Sequence, residues 1–273
     1  MNATCRKHRC PPPSAVAVAQ RYPLSSIVIS SSTTRVSLRR GRESVTSHAP
    51  SVQPKDWGIR MIRTIENVTA DHRLPVLEQA WRLRHRVFVE EKGWHDLARP
   101  DGREIDAYDH AEATHLCVMR GDRVVAYARL LPTTRGHLLS DVLPELCRFR
   151  AVPRGPETRE WTRHCVDPAY RGSGAVMGEV ERELICGIVD WAAEHGVEQL
   201  TAEGHPVWAS RLRRLGFGVE PLCLPTPIAG EKAIGMLIAL EGADPDGAGG
   251  RRTPTGAVRV PASRPAPTVP LGL

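Results

Sequence analysis

Residues 160–174 read Glu160-Trp161-Thr162-Arg163-His164-Cys165-Val166-Asp167-Pro168-Ala169-Tyr170-Arg171-Gly172-Ser173-Gly174. The first seven read as a strand, and Asp-Pro then turns the chain toward a long helix. The apolar ridge of that helix is Val176, Val180, Leu184, Ile188 and Trp191/Ala192, with Gly196 just past its end. In such a strand–turn–helix unit, glycines let backbone approach a ligand, and free amides at the helix start attract phosphate. Arg171 adds a fixed positive charge, which makes Arg171, Gly172 and Gly174 candidate phosphate contacts. Period two puts Glu160, Thr162 and His164 on one face of the strand, and Trp161, Arg163 and Cys165 on the other.

Strands and helices alternate outward from this unit, which predicts an α/β fold. Met61–Ile65 reads as a short strand. A helix follows from an N-cap at Asp71, with Pro75 in its first turn, to about Glu90; its stripe is Leu74, Leu77, Trp81 and Phe88. Thr114–Met119 and Arg123–Leu131 form a hairpin around Gly121-Asp122. Downstream come a strand at Glu198–Ala202, a helix at Val207–Leu215 ended by Gly216, and strand material at Phe217–Leu224 and Ala233–Leu240. Residues 61–240 thus form the domain, and residues 241–273, dominated by Gly, Pro, Ala and Arg, read as a disordered tail.

The chain has 273 residues and 41% hydrophobic content, enough for one sizeable core. No apolar run approaches the roughly 20 residues that span a bilayer, so a cytoplasmic protein without membrane contact is expected. The seven cysteines are scattered, with no C-x-x-C pair, which argues against a zinc ribbon or a disulfide framework; no metal site is expected. The net charge is +6, but residues 1–60 carry ten Lys/Arg against two acids, so the body is slightly acidic. A nucleic-acid partner is therefore not expected. Residues 1–60 are rich in Ser, Thr, Pro and Arg and read as a disordered leader. Lys55-Asp56-Trp57-Gly58 must be encoded by a purine-rich run, much like a ribosome-binding site, placed just ahead of Met61. The expectation is a translation start at Met61, with the leader a mis-called extension.

Six charges fall in segments that otherwise look buried: Arg84, Asp106, Asp109, Arg129, Glu160 and Arg163. Three of each sign can neutralise one another, as buried charges must. Each alone reads as part of a structural ion pair, but buried ion networks contribute little net stability, so the whole set points to a ligand.

The motifs Arg84-x-x-x-Phe88, Trp94, Glu104-x-Asp106-x-x-Asp109, Ala128-Arg129-Leu130-x-Pro132-Thr133 and Glu160-x-Thr162-Arg163 resemble, in order and spacing, the acyl-homoserine-lactone (autoinducer) synthases of the LuxI type. The resemblance runs from about Met61 to Leu240. It implies a GNAT-like three-layer α/β/α sandwich with a mixed central sheet and a central cleft. It also implies S-adenosylmethionine and an acyl thioester as substrates, with no cofactor, and an acylated homoserine lactone as a quorum-sensing signal. The stretch Arg99–Asp106 with Glu160–Arg163 is most similar to the branch using branched-chain or aromatic acyl-coenzyme A; other members use acyl carrier protein.

The resemblance also implies roles. Glu160 is the candidate base, fixed by Arg163, a pairing that requires a bulge. Asp106 and Asp109 hold the substrate ammonium, and Arg84 and Arg129 pair with its carboxylate or with those acids. Phe88 and Trp94 close over the sulfonium end. Thr162 lies on the acyl path, and Arg171, Gly172 and Gly174 hold the pantetheine pyrophosphate. His164, an alternative base or a packed core histidine, stands where the family usually carries an aromatic or aliphatic side chain. Two rival functions are a general GNAT N-acyltransferase, which does not account for the paired charges, and a non-catalytic coenzyme A or nucleotide sensor, which predicts ligand binding without turnover.

Overall fold

The computed structural model describes residues 61–68, 74–172, 177–228, 230–245 and 258–260. Its elements are β1 (Ile62–Ile65), α1 (Pro75–Arg84), β2 (Thr114–Arg120), β3 (Arg123–Pro132), α2 (Leu138–Asp141), β4 (Thr158–Val166), α3 (Glu179–Glu194), β5 (Gln199–Gly204), α4 (Val207–Arg214), β6 (Gly218–Pro221), β7 (Thr226–Ile228), β8 (Glu231–Ala239) and β9 (Val258–Val260). The strands run in the order β6-β8-β5-β4-β3-β2-β1-β9, and β7 pairs with β8. Pairs β4–β5 and β1–β9 are parallel; the other pairs are antiparallel. This is a mixed central sheet.

Both faces of the sheet are covered, and β2 shows why. Leu116 and Val118 join the core beneath α3, whereas Cys117 and Met119 join the core beneath α1. A strand buried on both faces loses the apolar–polar alternation of a half-solvated one. The result is the expected three-layer α/β/α sandwich. Gly187 lets α3 settle onto β1: a Cβ there would lie 2.4 Å from Ile62 Cδ1.

Two departures from regularity shape the middle of the sheet. First, β4 and β5 pair only at Thr158–Gln199, Arg159–Leu200 and Glu160–Thr201. Beyond that point β4 continues to Val166 and β5 to Gly204 without pairing, so the sheet opens into a cleft. Second, the β3–β4 register slips between Tyr127 and Arg129: Tyr127 pairs with Cys165 and Arg129 with Thr162, so Ala128 opposes both Arg163 and His164. This is a two-against-one bulge, and Arg163 sits in the left-handed region at φ 54°.

Most expected elements are present, with local differences. The helix after residue 74 starts at Pro75, and Asp71 lies outside the described residues. Its end, His85–Glu91, winds as a π-helix. Of the strand material expected at Phe217–Leu224 only Gly218–Pro221 forms a strand, β6, closed by Pro221, which has no N–H for the ladder; β7 (Thr226–Ile228) was not expected. The short α2 was not expected. Neither was β9, which pairs alongside β1 within the stretch read as a disordered tail. Residues 1–60 lie outside the described residues.

Candidate active site

The charged side chains meet against the face of the sheet that α1 covers. Arg84 leaves the last turn of α1 completely buried. It donates from Nε to Glu104 (2.5 Å) and from Nη1 and Nη2 to the two oxygens of Asp109 (2.7 and 3.0 Å). Arg129, equally buried on β3, grips Asp106 in the same two-pronged way (2.6 and 3.0 Å), and its Nη1 lies 2.8 Å from Asp109. Arg163 bridges Glu104 (3.1 and 3.2 Å) and Asp106 (2.7 Å). Three guanidinium groups and three carboxylates form one closed, formally neutral network, with paired N–H···O geometry at three of its links.

Electrostatics follow from this geometry. Burial alone would raise Glu104 and Asp109, but the arginines more than offset it, leaving Glu104 at about 2 and Asp109 well below its usual range. Burial likewise opposes the charge on Arg84, and the surrounding acids reverse that effect. Beneath the cluster, Tyr127 Oη meets His115 Nδ1 at 2.7 Å, and the Arg84 guanidinium lies 5.5 Å from the Tyr127 ring centre. Burial pushes His115 down to about 3, so its imidazole is neutral.

Phe88 and Trp94 stack beside the network, with centroids 5.0 Å apart and planes 9° apart. The π-helical turn places them: Trp94 N–H donates to Phe88 O, while Arg163 lies 5.8 Å over the Phe88 ring. Such extra-residue turns are frequent at functional sites.

One expected member is elsewhere. Glu160 does not join the cluster, and Arg163 is not its partner; Glu104 takes that place. The bulge is present as required, but it swings Arg163 toward Glu104 and Asp106, on the side where Thr162 accepts from Arg129 Nε (3.1 Å). Strict alternation therefore fails beyond Thr162, and His164 instead meets Trp161 edge-on. Glu160 is held by His137 Nδ1 (2.8 Å) and by the Leu138 and Leu139 amides at the start of α2 (2.9 and 2.6 Å). Burial would raise its pKa, but these donors bring it below normal. The neighbouring Glu203 on β5 is driven the other way, well above the usual carboxylate range, by burial and by the Glu160 charge. His137, Glu203, Tyr127 and His115 carried no signal of their own, whereas Glu104 was visible within the acidic motif.

Beyond the end of β4, Arg171 pairs with Glu91 at the end of the π-helical turn and donates to Val166 O (2.9 Å). Gly172 packs against Gly178, where a Cβ would lie 2.5 Å from the Gly172 nitrogen. Gly174 lies outside the described residues. Among the described residues the five cysteines are free thiols, no group of three or more His/Cys/Asp/Glu is placed to hold a metal, and no helix is long and apolar enough to cross a membrane.

A mixed sheet that splits between two parallel strands, covered by helices on both faces and carrying a buried ionic network on one of them, is the α/β architecture of the GNAT-like class. Comparison with known proteins agrees. The model of the family described as autoinducer synthase matches residues 70–245. The isovaleryl-homoserine lactone synthase of Bradyrhizobium diazoefficiens is 38% identical over 165 residues, covering 60% of this chain and 73% of that protein. Among solved structures, the CoA-dependent acyl-homoserine lactone synthase BjaI, determined with SAM and isopentyl-CoA, has 35% identity and a TM-score of 0.61 over 66% of this chain and 83% of that one. A second CoA-dependent acyl-homoserine lactone synthase, MesI, has 31% identity and a TM-score of 0.57 over 66% and 89%. The chain belongs to the autoinducer synthase family.

Proposed function

We propose that the protein transfers an acyl group from acyl-coenzyme A to the α-amine of S-adenosylmethionine and then closes the lactone, releasing methylthioadenosine and an N-acyl-homoserine lactone. The observation that carries this reading is the closed network of Arg84, Arg129, Arg163, Glu104, Asp106 and Asp109 beside stacked Phe88 and Trp94. The methionyl end of the substrate is a zwitterion. It can enter a neutral network by exchanging one Arg–Asp link for an ammonium–Asp and a carboxylate–Arg link, leaving the charge balanced. Asp106 and Asp109 take the ammonium, and Arg84 and Arg129 the carboxylate. The sulfonium falls to the faces of Phe88 and Trp94, where an aromatic ring favours a cation.

The thioester comes from the opposite mouth, with its pyrophosphate toward Arg171, Gly172 and Gly174 and its acyl chain passing Thr162 between β4 and β5. Amides of β4 beyond the point where pairing with β5 ends are the donors for the developing oxyanion. The ammonium gives one proton to solvent to free the attacking amine; once that amine has attacked, its nitrogen is far more acidic than the free ammonium, and the coenzyme A thiolate leaves as the carbonyl re-forms. A carboxylate of low basicity such as Glu160 then suffices to take the proton, directly or through water. Closure of the lactone leans on the sulfonium as leaving group and on orientation of the carboxylate. Both CoA-dependent structural relatives support acyl-CoA over acyl carrier protein as the donor.

The test is release of methylthioadenosine from S-adenosylmethionine, with and without isopentyl-CoA. Release that requires the thioester, matched by one equivalent of acylated lactone, is expected. Acylated product without methylthioadenosine indicates a general N-acyltransferase, and binding without turnover a sensor.

A further inference from the structure

The cleft has a second wall, on the face that α3 and α4 cover. Trp161 and His164 project there from β4, past the point where it parts from β5, and Trp208 comes from α4, which follows β5. The three rings form a chain of edge contacts: Trp161–His164 at 5.2 Å and 75°, His164–Trp208 at 5.3 Å and 74°. All three are essentially excluded from solvent. By distance none of their four ring nitrogens has a hydrogen-bond partner, although His164 Nε2 makes an ion-pair contact with Glu181 at 3.6 Å that helps to lower the Glu181 carboxyl pKa.

That combination is unusual. Buried polar atoms are almost always partnered, and the exceptions call for an explanation. Here four occur in one contact group, two of whose rings are carried by β4 beyond the point where it parts from β5. An indole N–H can only donate, and a neutral imidazole offers one donor and one acceptor. The cluster therefore presents two indole donors and the imidazole nitrogens, which a hydrocarbon chain cannot satisfy.

Resting on the acyl-transfer reading above, we infer that Trp161, His164 and Trp208 make this a synthase for acyl groups bearing a hydroxyl at or near their far end. A hydroxyl accepts from an indole and both donates to and accepts from the imidazole. A site built to hydrogen-bond a substrate hydroxyl discriminates against the analogue lacking it, because its own buried groups then stay unpaired.

The experiment uses the full chain with saturating S-adenosylmethionine and three matched donor pairs: hexanoyl- and 6-hydroxyhexanoyl-CoA, octanoyl- and 8-hydroxyoctanoyl-CoA, and 3-phenylpropanoyl-CoA with its ring-hydroxylated counterpart. The readout is kcat/KM for methylthioadenosine release within each pair, a ratio that cancels the active fraction of a preparation. At least one hydroxylated donor should exceed its parent tenfold or more, and His164→Phe and Trp208→Phe should each bring that ratio toward one. Parents that match or beat their hydroxylated partners in every pair would overturn the inference while leaving the synthase reading intact, as expected if ordered water satisfies the nitrogens. A preference that survives both substitutions would overturn the assignment to these rings. No methylthioadenosine from any donor would bring down both readings.

Discussion

Glu160 illustrates how far one residue can be read. Its chemistry, a buried carboxylate on the cleft strand, is visible in the sequence, but its partners are not. Arg163 lies three residues away, yet the bonds to Glu160 come from His137 and two amides more than twenty residues upstream. Glu104, by contrast, is legible as an acid within a motif and turns out to complete the ionic network. In the proposed reaction Glu160→Gln keeps shape and one acceptor oxygen but loses the ability to take a proton. Turnover should fall by about 10²-fold or more while the dissociation constant for S-adenosylmethionine changes little. Single-turnover rates and equilibrium titration on the same preparation check this; near-normal turnover would remove Glu160 from the proton path.

Elements were read more securely than the contacts between them. Periodicity located β2, β3, β4, α3 and β5, because strands and helices impose fixed spacings on apolar side chains. Periodicity cannot reveal where a period breaks. The bulge at Arg163 and the π-helical turn at His85–Glu91 each change which way a functional side chain points, and neither has a composition of its own. The packing of α3 on β1 gives a test at this scale. Gly187→Ala should destabilise the fold by about 1–3 kcal/mol through overpacking against Ile62. Adding Ile62→Val removes the Cδ1 atom that would collide and should recover part of that loss in urea denaturation. A double variant no more stable than Gly187→Ala alone would show that α3 does not rest on β1 in this way.

For the molecule as a whole, buried acids pushed in opposite directions give a two-sided pH response. Glu104, Asp109 and Glu160 have folded pKa values below their unfolded ones, so the stability they contribute is present above about pH 4–5 and lost as pH falls through the folded values, about 2 for Glu104. Glu203 has the opposite sign. Its folded pKa is raised, so its contribution is complete below the unfolded carboxylate pKa and declines as pH rises toward the folded value. Glu203→Gln mimics the protonated form and should flatten the neutral side of the stability profile, leaving the acid side unchanged; thermal melts between pH 3 and pH 9 read both limbs. An unaltered neutral limb would mean that Glu203 is not held protonated. The larger account rests on the ionic network of α1, β3, β4 and the 104–109 loop being the seat of the methionyl group. A crystal structure with S-adenosylmethionine bound tests that most directly. The account predicts its ammonium at about 3 Å, ordinary hydrogen-bond distance, from Asp106 or Asp109, with its carboxylate on Arg84 or Arg129 and its sulfonium against Phe88 and Trp94. S-adenosylmethionine bound elsewhere, with every link among these six charged side chains intact, would contradict it.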